Sequence, residues 1–378
     1  MHLEFTAEQD ELRDGVRAML ARECPIALVR EVVEKGAQPD ALWAQMVELG
    51  WPALTVPEQA GGLGMGEVEL AVVVEELGRV LAPGPFVPTV TQFAPVVAEA
   101  GSPEQQARFL GAVAAGEITG TLALVEENGS IDATRISSTA SPDGDGFVLD
   151  GTKAAVLEAA TADEIAVVAR HRGTDDDGRG VVGAFVVPRG DVRVDPVDAL
   201  DASRSLARVK LDGVRVGADR VLGEPGPATA AAVGRAVEVA ATALAVETVG
   251  AAQEIFDISV AYAKQREQFG VPIGSFQAIK HKFADMLVAL ERARATSYFA
   301  ALTIAEDDDR RSLAASIAKA AAGDCAALLA KEGIQIHGGI GYTWEHDMHL
   351  YVRRVKSNAL LFGDARQHRA RVADLIGL

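Results

Sequence analysis

The sequence predicts an α+β protein with helices at both ends of the chain and strands in the middle. Apolar residues recur at helical spacing from about Thr6 to Gly116 and shift toward a period of two from about Glu117. Helical spacing returns after "VLGEPG" and continues to the C-terminus. This order predicts three domains: an N-terminal helical domain (1–118), a middle antiparallel β domain (119–223) and a C-terminal four-helix bundle (224–378).

The composition indicates a soluble globular protein with an acidic surface. Of the 378 residues, 49% are hydrophobic and 24% are charged, and the formal net charge is −18. This charge disfavours nucleic acid and acidic membrane surfaces as partners. Cys24 and Cys325 form no CxxC pair, so we expect buried, reduced thiols in a cytoplasmic protein, and no metal site. The acidic start "MHLEFTAEQDELRDG" lacks the apolar segment of an export signal.

Each helical or strand-like segment has its own start and stop signals. "TAEQDELRDGVRAMLARE" begins at Thr6, which can cap a helix, and "EVELAVVVEELGRVL" is stopped by Pro83-Gly84. "PEQQARFLGAVAAG" begins at Pro103. The segments "GTLALVE", "GFVLDGTKAAVLEA", "EIAVVARH", "GVVGAFVVP" and "ARVKLDGVRV" alternate like strands and are separated by turns such as "PDGDG". Charged residues interrupt the apolar run from Ala230 to Phe256, which therefore predicts a buried helix and not a membrane span.

Two C-terminal segments carry side chains suited to binding a nucleotide. In "YAKQREQFGVPIGSFQAIKHKFADM" we expect a helix to end at Phe269-Gly270 and another to start near Ser275. Arg266 in the last helical turn could hold a phosphate, Phe269 offers an aromatic face, and Gln277 offers an amide. In "GIQIHGGIGYTWEHDMHLYVRR", Gly338-Gly339 lets a ligand approach the backbone. Taken alone, the arginine could equally be a solvated helix cap and the glycines a simple turn.

Together the motifs R-x-x-F-G…F-Q and Q-I-x-G-G-x-G resemble the acyl-CoA dehydrogenase family, and "GVRVGADRVLGE" resembles a third family segment. The helical, β, helical order matches over essentially the whole chain. The resemblance implies an FAD-dependent enzyme that oxidises acyl-CoA thioesters to enoyl-CoA. It also implies that two subunits share each FAD, with one subunit reaching across a dimer interface to the pyrophosphate and adenosine. The residues implied in this contact are Arg266, Gln268, Phe269, Gln277, Gln335, Gly338 and Gly339.

The positions that touch the flavin ring within one subunit depart from the family pattern. Where T-E-P-x-A-G-S-D is expected, the chain reads "LVEENGSID", with Val125 at the hydroxyl position and Ser130 as a partial match. Where W-I-T is expected after "DGTK", Ala155 replaces the tryptophan and Leu157 replaces the hydroxyl residue. Leucine cannot donate a hydrogen bond to a flavin, and alanine cannot cover its ring.

The carboxylate that removes the α-proton is also missing from both positions where the family places it. Counting from Lys356, the position of the usual glutamate is Phe362, and the alternative position on the long helix is Ala240. A positioned base contributes about 10²–10⁴-fold to such a reaction. We therefore assign no catalytic residue in this chain.

Three nearby acids are weak substitutes for the missing base. Glu238 should face away from the Ala240 position, and Glu247 shares its face but lies roughly 10 Å along the helix axis. Asp364 is shifted by one residue and has a shorter side chain than glutamate. We expect these acids to be solvated or to lie in an interface. The basic residues Arg353, Arg354, Lys356, Arg366 and Arg369 could attract phosphates or form salt bridges.

These departures predict a non-catalytic subunit that resembles the β-like chain of actinobacterial-type α2β2 acyl-CoA dehydrogenases. Some of those enzymes act on CoA thioesters of steroid side chains. A homologous catalytic subunit would then supply the base and bind the acyl-CoA. Two alternatives stay open: an active homotetramer with an unrecognised base, and a flavin-free scaffold or regulatory subunit.

Overall fold

The computed structural model describes residues 5–174 and 180–378, so the first four residues of the acidic N-terminal stretch lie outside it. The N-terminal part contains helices α1 (Ala7–Glu23), α2 (Ile26–Lys35), α3 (Asp40–Glu48), α4 (Glu67–Arg79), α5 (Phe86–Pro88), α6 (Ala94–Ala100) and α7 (Pro103–Ala114). A π-helix, Thr89–Phe93, lies between α5 and α6. The helices predicted from the three N-terminal segments are therefore present.

Two of these helices begin with capping boxes. The Thr6 side chain accepts a hydrogen bond from the backbone of Gln9, whose side chain in turn bonds the Thr6 backbone. Ser102 and Gln105 form the same arrangement at the start of α7, where Pro103 occupies the first helical position. Both boxes satisfy N–H groups that a helix start otherwise leaves without partners.

The middle part of the chain forms one eight-stranded sheet. Its strands are β1 (Gly120–Ala123), β2 (Thr139–Asp143), β3 (Gly146–Leu157), β4 (Glu164–Thr174), β5 (Gly180–Pro188), β6 (Arg193–Val197), β7 (Leu206–Val216) and β8 (Val221–Leu222). The order is β6-β7-β3-β2-β4-β5-β8, with β1 paired to β4. Most pairs are antiparallel as predicted, but β4 runs parallel to both β1 and β2. Chain reversal at "PDGDG" joins β2 to β3.

The C-terminal part contains helices α8 (Pro227–Gln265), α9 (Gln277–Ala305), α10 (Arg311–His337), α11 (Met348–Leu360) and α12 (Ala365–Leu375). A small hairpin of β9 (Glu267–Gln268) and β10 (Val271–Pro272) separates α8 from α9. The predicted end of α8 at Phe269-Gly270 is therefore wrong, and Arg266 lies just beyond the helix. Positive φ angles at Phe269 and Gly270, 55° and 80°, form the hairpin turn instead of a further helical turn.

The chain divides into two compact units. The first contains residues 1–37, 67–83 and 241–378, and the second contains residues 38–66 and 84–240. Small residues form a core in the first unit: Ala245, Ala300, Ala314, Ala318 and Ala322. The buried faces of the sheet form the main cluster of the second unit. Cys24 and Cys325 are free and buried, as expected.

Among the described residues, two helical stretches are long and apolar enough to cross a membrane. They are Pro227–Gln265 and Arg311–Tyr342, and 78% and 67% of their most apolar windows are buried within the protein. Such burial is expected of core helices.

Candidate cofactor site and the Phe362 turn

The hairpin segment (residues 266–277) presents its side chains to solvent. Phe269 is 93% exposed and has a φ of 55°, a conformation that costs a non-glycine residue roughly 1 kcal/mol or more. Arg266 is exposed, and no hydrogen bond or ion pair engages its guanidinium among the described residues. Gln277 is the exposed first residue of α9, while Gln268 donates to the Glu267 carbonyl. The segment therefore offers an exposed cation, an amide and an aromatic ring.

The Gly–Gly segment (residues 335–339) exposes Gln335 and both glycines to solvent, while Ile336 and His337 are buried. Gln335 is exposed near the end of α10. Gly338 has φ 64° and ψ −139°, a conformation nearly restricted to glycine. A Cβ placed on Gly338 or Gly339 would meet no atom within 4 Å. The packing of this chain thus gives no reason for the second glycine, whereas close approach by an external group would.

Two contacts bring these segments together within the first unit. The Tyr262 ring, near the end of α8, stacks on the His337 ring at the end of α10 with centroids 4.4 Å apart. Lys282 near the start of α9 forms an ion pair with Glu332 on α10. The structure therefore holds the ends of α8 and α10 and the start of α9 side by side.

The Phe362 turn (residues 361–364) connects α11 to α12. Phe362 is only 6% exposed and has a φ of 52°, so the backbone is left-handed at a bulky residue. Lys319, which is 1% exposed, donates to the carbonyls of Asn358 (2.9 Å), Ala359 (3.4 Å) and Gly363 (2.9 Å). His368 Nε2 donates to the Phe362 carbonyl at 2.8 Å. These bonds fix the backbone on both sides of Phe362.

Burial shifts the ionisation of both side chains that hold this turn. Burial lowers the pKa of Lys319 to about 7, although the charge of Asp364 acts in the opposite direction. Burial also lowers the pKa of His368 to about 4, despite its hydrogen bond to Phe362. His368 is therefore neutral near pH 7, with its proton on Nε2 because the partner is a carbonyl.

Asp364 acts as a helix cap in this structure. Its side chain accepts a hydrogen bond from the backbone of Gln367 at 2.7 Å, and the Gln367 side chain bonds the Asp364 backbone. This capping box starts α12 and accounts for an aspartate at this position.

Glu247 is engaged in a buried ion pair. Its Oε1 accepts from Arg354 at 2.9 Å and its Oε2 accepts from Asn358 at 3.0 Å. Arg354 and Glu247 are both 0% exposed, and Arg354 also donates to the Leu81 carbonyl. The expectation that Glu247 is a solvated or interface acid is wrong. The pair forms because neither charge could be buried alone.

The remaining basic residues and the alternative base position are also placed. Arg369 pairs with Asp324 at 3.0 Å, and the Arg353 guanidinium lies 5.3 Å from the centre of the Trp344 ring. Ala240 is fully buried. Glu238 is buried, so the expectation that it is a solvated acid is wrong, whereas Lys356 is half-buried and Arg366 is exposed.

In the second unit, the positions implied to face the flavin are apolar or engaged with backbone. The Val125 carbonyl accepts from the Ala154 N–H at 2.7 Å. Ala155 has a φ of 51°, and Leu157 is buried. The Ser130 hydroxyl accepts from the Asp132 N–H. Of these side chains only the Ser130 hydroxyl can donate a hydrogen bond, and it lies at the partial match and not at the Val125 or Leu157 position.

Sequence reasoning missed a buried ion pair in this unit. Lys153 donates to Glu126 at 2.8 Å, and Ser137 and Ser138 donate to the same carboxylate. Burial opposes ionisation of Glu126, but Lys153 and the serines outweigh it and lower the glutamate pKa to about 2. Burial lowers the pKa of Lys153 to about 8. The sequence feature that could have indicated this pair is a lysine, Lys153, within an otherwise strand-like segment.

Comparison with known proteins identifies the family. Residues 6–117, 121–214 and 230–377 match the N-terminal, middle and C-terminal domains of acyl-CoA dehydrogenase, respectively. The chain therefore belongs to the acyl-CoA dehydrogenase family, whose members are FAD-dependent flavoproteins. The predicted family and fold class are confirmed.

Individual relatives cover nearly the whole chain. Acyl-CoA dehydrogenase IpdE2 of Mycobacterium tuberculosis is 33% identical over 362 residues, which span 95% of this chain and 94% of that protein. The ChsE4–ChsE5 complex from Mycobacterium tuberculosis is similar in structure, with a TM-score of 0.89, 27% identity and complete coverage of both chains. The steroid ACAD Tcur3481–Tcur3483 gives a TM-score of 0.86 and 32% identity, covering 98% of this chain and 97% of that one.

Proposed function

We propose that this chain is a non-catalytic subunit of an FAD-dependent acyl-CoA dehydrogenase. It contributes the adenosine and pyrophosphate contacts to an FAD that is bound mainly by a homologous catalytic subunit. The observation that carries the proposal is the Phe362 turn: its backbone is built and held by buried hydrogen bonds, yet its side chain cannot accept a proton. We infer that Phe362 fills the space of the absent carboxylate.

The residues proposed to contact FAD across the interface fit a nucleotide. The Arg266 guanidinium, which no group in the described part of the chain engages, suits a pyrophosphate, and the exposed backbone at Gly338 and Gly339 allows a close approach. Lys264 and Lys280 are exposed as well, although the exposed Glu267 lies directly beside Arg266 in the sequence. Exposed cations of this kind favour a phosphate ligand on a chain whose net charge is −18.

The residues of this chain that would face the flavin ring do not fit it. Val125, Ala155 and Leu157 supply neither a hydroxyl donor nor an aromatic cover for it. FAD supplies the hydride acceptor for α,β-desaturation, but the α-proton also needs a base. Phe362 and Ala240 cannot serve, both oxygens of Glu247 are engaged, and Asp364 caps a helix. The part of the site within this chain therefore lacks both the side chains that contact the flavin ring and the base that removes the α-proton.

Exposed apolar side chains support assembly with a second chain. Most of the large hydrophobic residues that are exposed among the described residues belong to the first unit, including Phe269, Phe276, Val288 and Tyr342. The Phe269 and Phe276 rings lie edge to face with centroids 6.1 Å apart, and adjoining exposed apolar groups of this kind are typical of interaction sites. Two of the similar structures are themselves described as pairs of different chains, ChsE4–ChsE5 and Tcur3481–Tcur3483. An α2β2 assembly with one active chain per pair is the arrangement we propose, and a steroid side-chain CoA is a candidate substrate for the complex.

Substitution of Arg266 tests the cross-interface contact. In the complex with the catalytic subunit, Arg266→Ala should lower retained FAD, because charge-assisted hydrogen bonds to phosphate contribute about 1.5–3 kcal/mol each. The control is Arg215→Ala, which removes an exposed arginine from the β domain. Unchanged FAD retention in Arg266→Ala would favour a flavin-free scaffold. Full flavin occupancy and turnover in the lone chain would favour an active homotetramer.

A further inference from the structure

One ring contact joins the two segments proposed to bind FAD. Tyr262 lies four residues before Arg266, and its carbonyl accepts from the Arg266 N–H at 2.8 Å. His337 directly precedes Gly338. The two rings stack with centroids 4.4 Å apart and planes 26° from parallel. We propose that Tyr262 and His337 are positioning residues whose stack holds the hairpin segment and the Gly–Gly segment in one binding geometry, an inference that rests on the proposed function.

The hydrogen bonds of His337 fix the state of its ring. Nδ1 lies 2.7 Å from the Gly333 carbonyl and must donate to it, since a carbonyl only accepts. His337 is 3% exposed, and its Nε2 is buried without a hydrogen-bond partner among the described residues. The stack is therefore made by a neutral ring, and a second proton would create a buried N–H with no acceptor.

The groups around His337 oppose its protonation. The His346 ring lies 4.8 Å from it, and the His346 Nδ1 accepts from the Met348 N–H, which leaves the His346 proton on Nε2. Burial lowers the pKa of His337, the Gly333 hydrogen bond raises it, and His346 lowers it further. The adjoining helix ends also carry Lys264 on α8, Lys280, His281 and Lys282 on α9, and Lys331 and Glu332 on α10, and Glu332 pairs with both Lys282 and Lys331. Acid should therefore weaken the stack.

Matched variants of Tyr262 separate ring stacking from other effects. Tyr262→Leu removes the aromatic face, whereas Tyr262→Phe keeps it. Aromatic pairs contribute about 0.5–1.5 kcal/mol, so FAD dissociation from the complex should accelerate about two- to tenfold in Tyr262→Leu and less than about twofold in Tyr262→Phe. Equal dissociation rates in the two variants would overturn the proposal.

A second readout does not depend on FAD. In the flavin-stripped complex, amide hydrogen exchange of residues 338–342 should rise in Tyr262→Leu and remain at the wild-type level in Tyr262→Phe. Because intrinsic amide exchange slows as the pH falls from 7 to 5, the readout is protection relative to the intrinsic rate. This protection should fall at pH 5 in wild type and should not fall in His337→Phe, which keeps a ring that does not titrate. Wild-type exchange in Tyr262→Leu would refute the positioning role. If Arg266→Ala leaves FAD retention unchanged while exchange behaves as described, the proposed function fails and the stack stands.

Discussion

Arg354 and Glu247 form an ion pair at 2.9 Å, and neither side chain is exposed to solvent. The pair links α11 to α8, and the second Arg354 nitrogen reaches the Leu81 carbonyl beyond α4. The pair engages Glu247, the candidate acid on the face of the missing alternative base, so Glu247 serves the fold and is unavailable for proton transfer. Asn358, which shares this carboxylate, also bonds Lys319 through its carbonyl and so connects the pair to the Phe362 turn.

Breaking this pair should strongly destabilise the protein. Arg354→Met leaves the Glu247 carboxylate buried without the arginine charge that compensates it, and removing one partner of a buried pair typically costs about 3–5 kcal/mol. Denaturant unfolding would measure the change. As the control, Arg369→Met breaks the exposed Arg369–Asp324 pair and should cost less than about 1 kcal/mol. Similar losses in the two variants would contradict the role assigned to the buried pair.

Substitution of Asp364 tests whether this residue, the remaining candidate for a substitute base, takes part in proton transfer. Asn is as good a helix cap as Asp, so Asp364→Asn should leave stability and turnover of the complex nearly unchanged. Asp364→Ala should lower the free energy of unfolding by about 1 kcal/mol. A loss of about 10²-fold or more in turnover in Asp364→Asn alone would make Asp364 a base and refute its purely structural role.

The buried histidine beneath the Phe362 turn should make the fold sensitive to acid. The pKa of His368 falls from 6.5 to about 4 on folding, mainly through burial, with Lys319 and Arg371 adding to the shift and Asp364 opposing it. The unfolded chain therefore binds the proton first. The stability contributed by the neutral, buried His368 is fully present above pH 6.5. It is lost as the pH falls toward 4, by up to about 3 kcal/mol.

A glutamine at this position isolates the effect. His368→Gln can keep the hydrogen bond to the Phe362 carbonyl but cannot titrate. The free energy of unfolding between pH 6.5 and 4 should fall less steeply in His368→Gln than in wild type. Parallel curves for the two proteins would show that this residue does not carry the acid sensitivity.

The sequence predicts the order of elements well because hydrophobic periodicity is a local property. α1, α7 and the hairpin between β2 and β3 follow from Thr6, Pro103 and "PDGDG". The end of α8 could not be predicted from the sequence, because the left-handed backbone at Phe269 leaves no pattern in the neighbouring residues. The parallel pairing of β4 with β1 and β2 could not be predicted either, because it depends on contacts between strands that are distant in sequence.

The candidate site also contains residues that the sequence predicts and contacts that only tertiary packing creates. Motif spacing indicates Arg266, Gln277, Gly338 and Gly339, all of which the structure leaves exposed. Pairing of Glu247 with Arg354 spans 107 residues of sequence, and the Tyr262–His337 stack joins two different helices, so neither could be predicted from local patterns. Both depend on packing within the first unit.

Flavin content tests the central claim most directly. The chain would be purified alone and after co-expression with a homologous acyl-CoA dehydrogenase subunit that carries a glutamate at the turn position. The account predicts a lone chain without FAD and without dye-reducing activity toward acyl-CoA, and a complex with one FAD per pair of chains. A lone chain that holds one FAD per subunit and turns over acyl-CoA would contradict it.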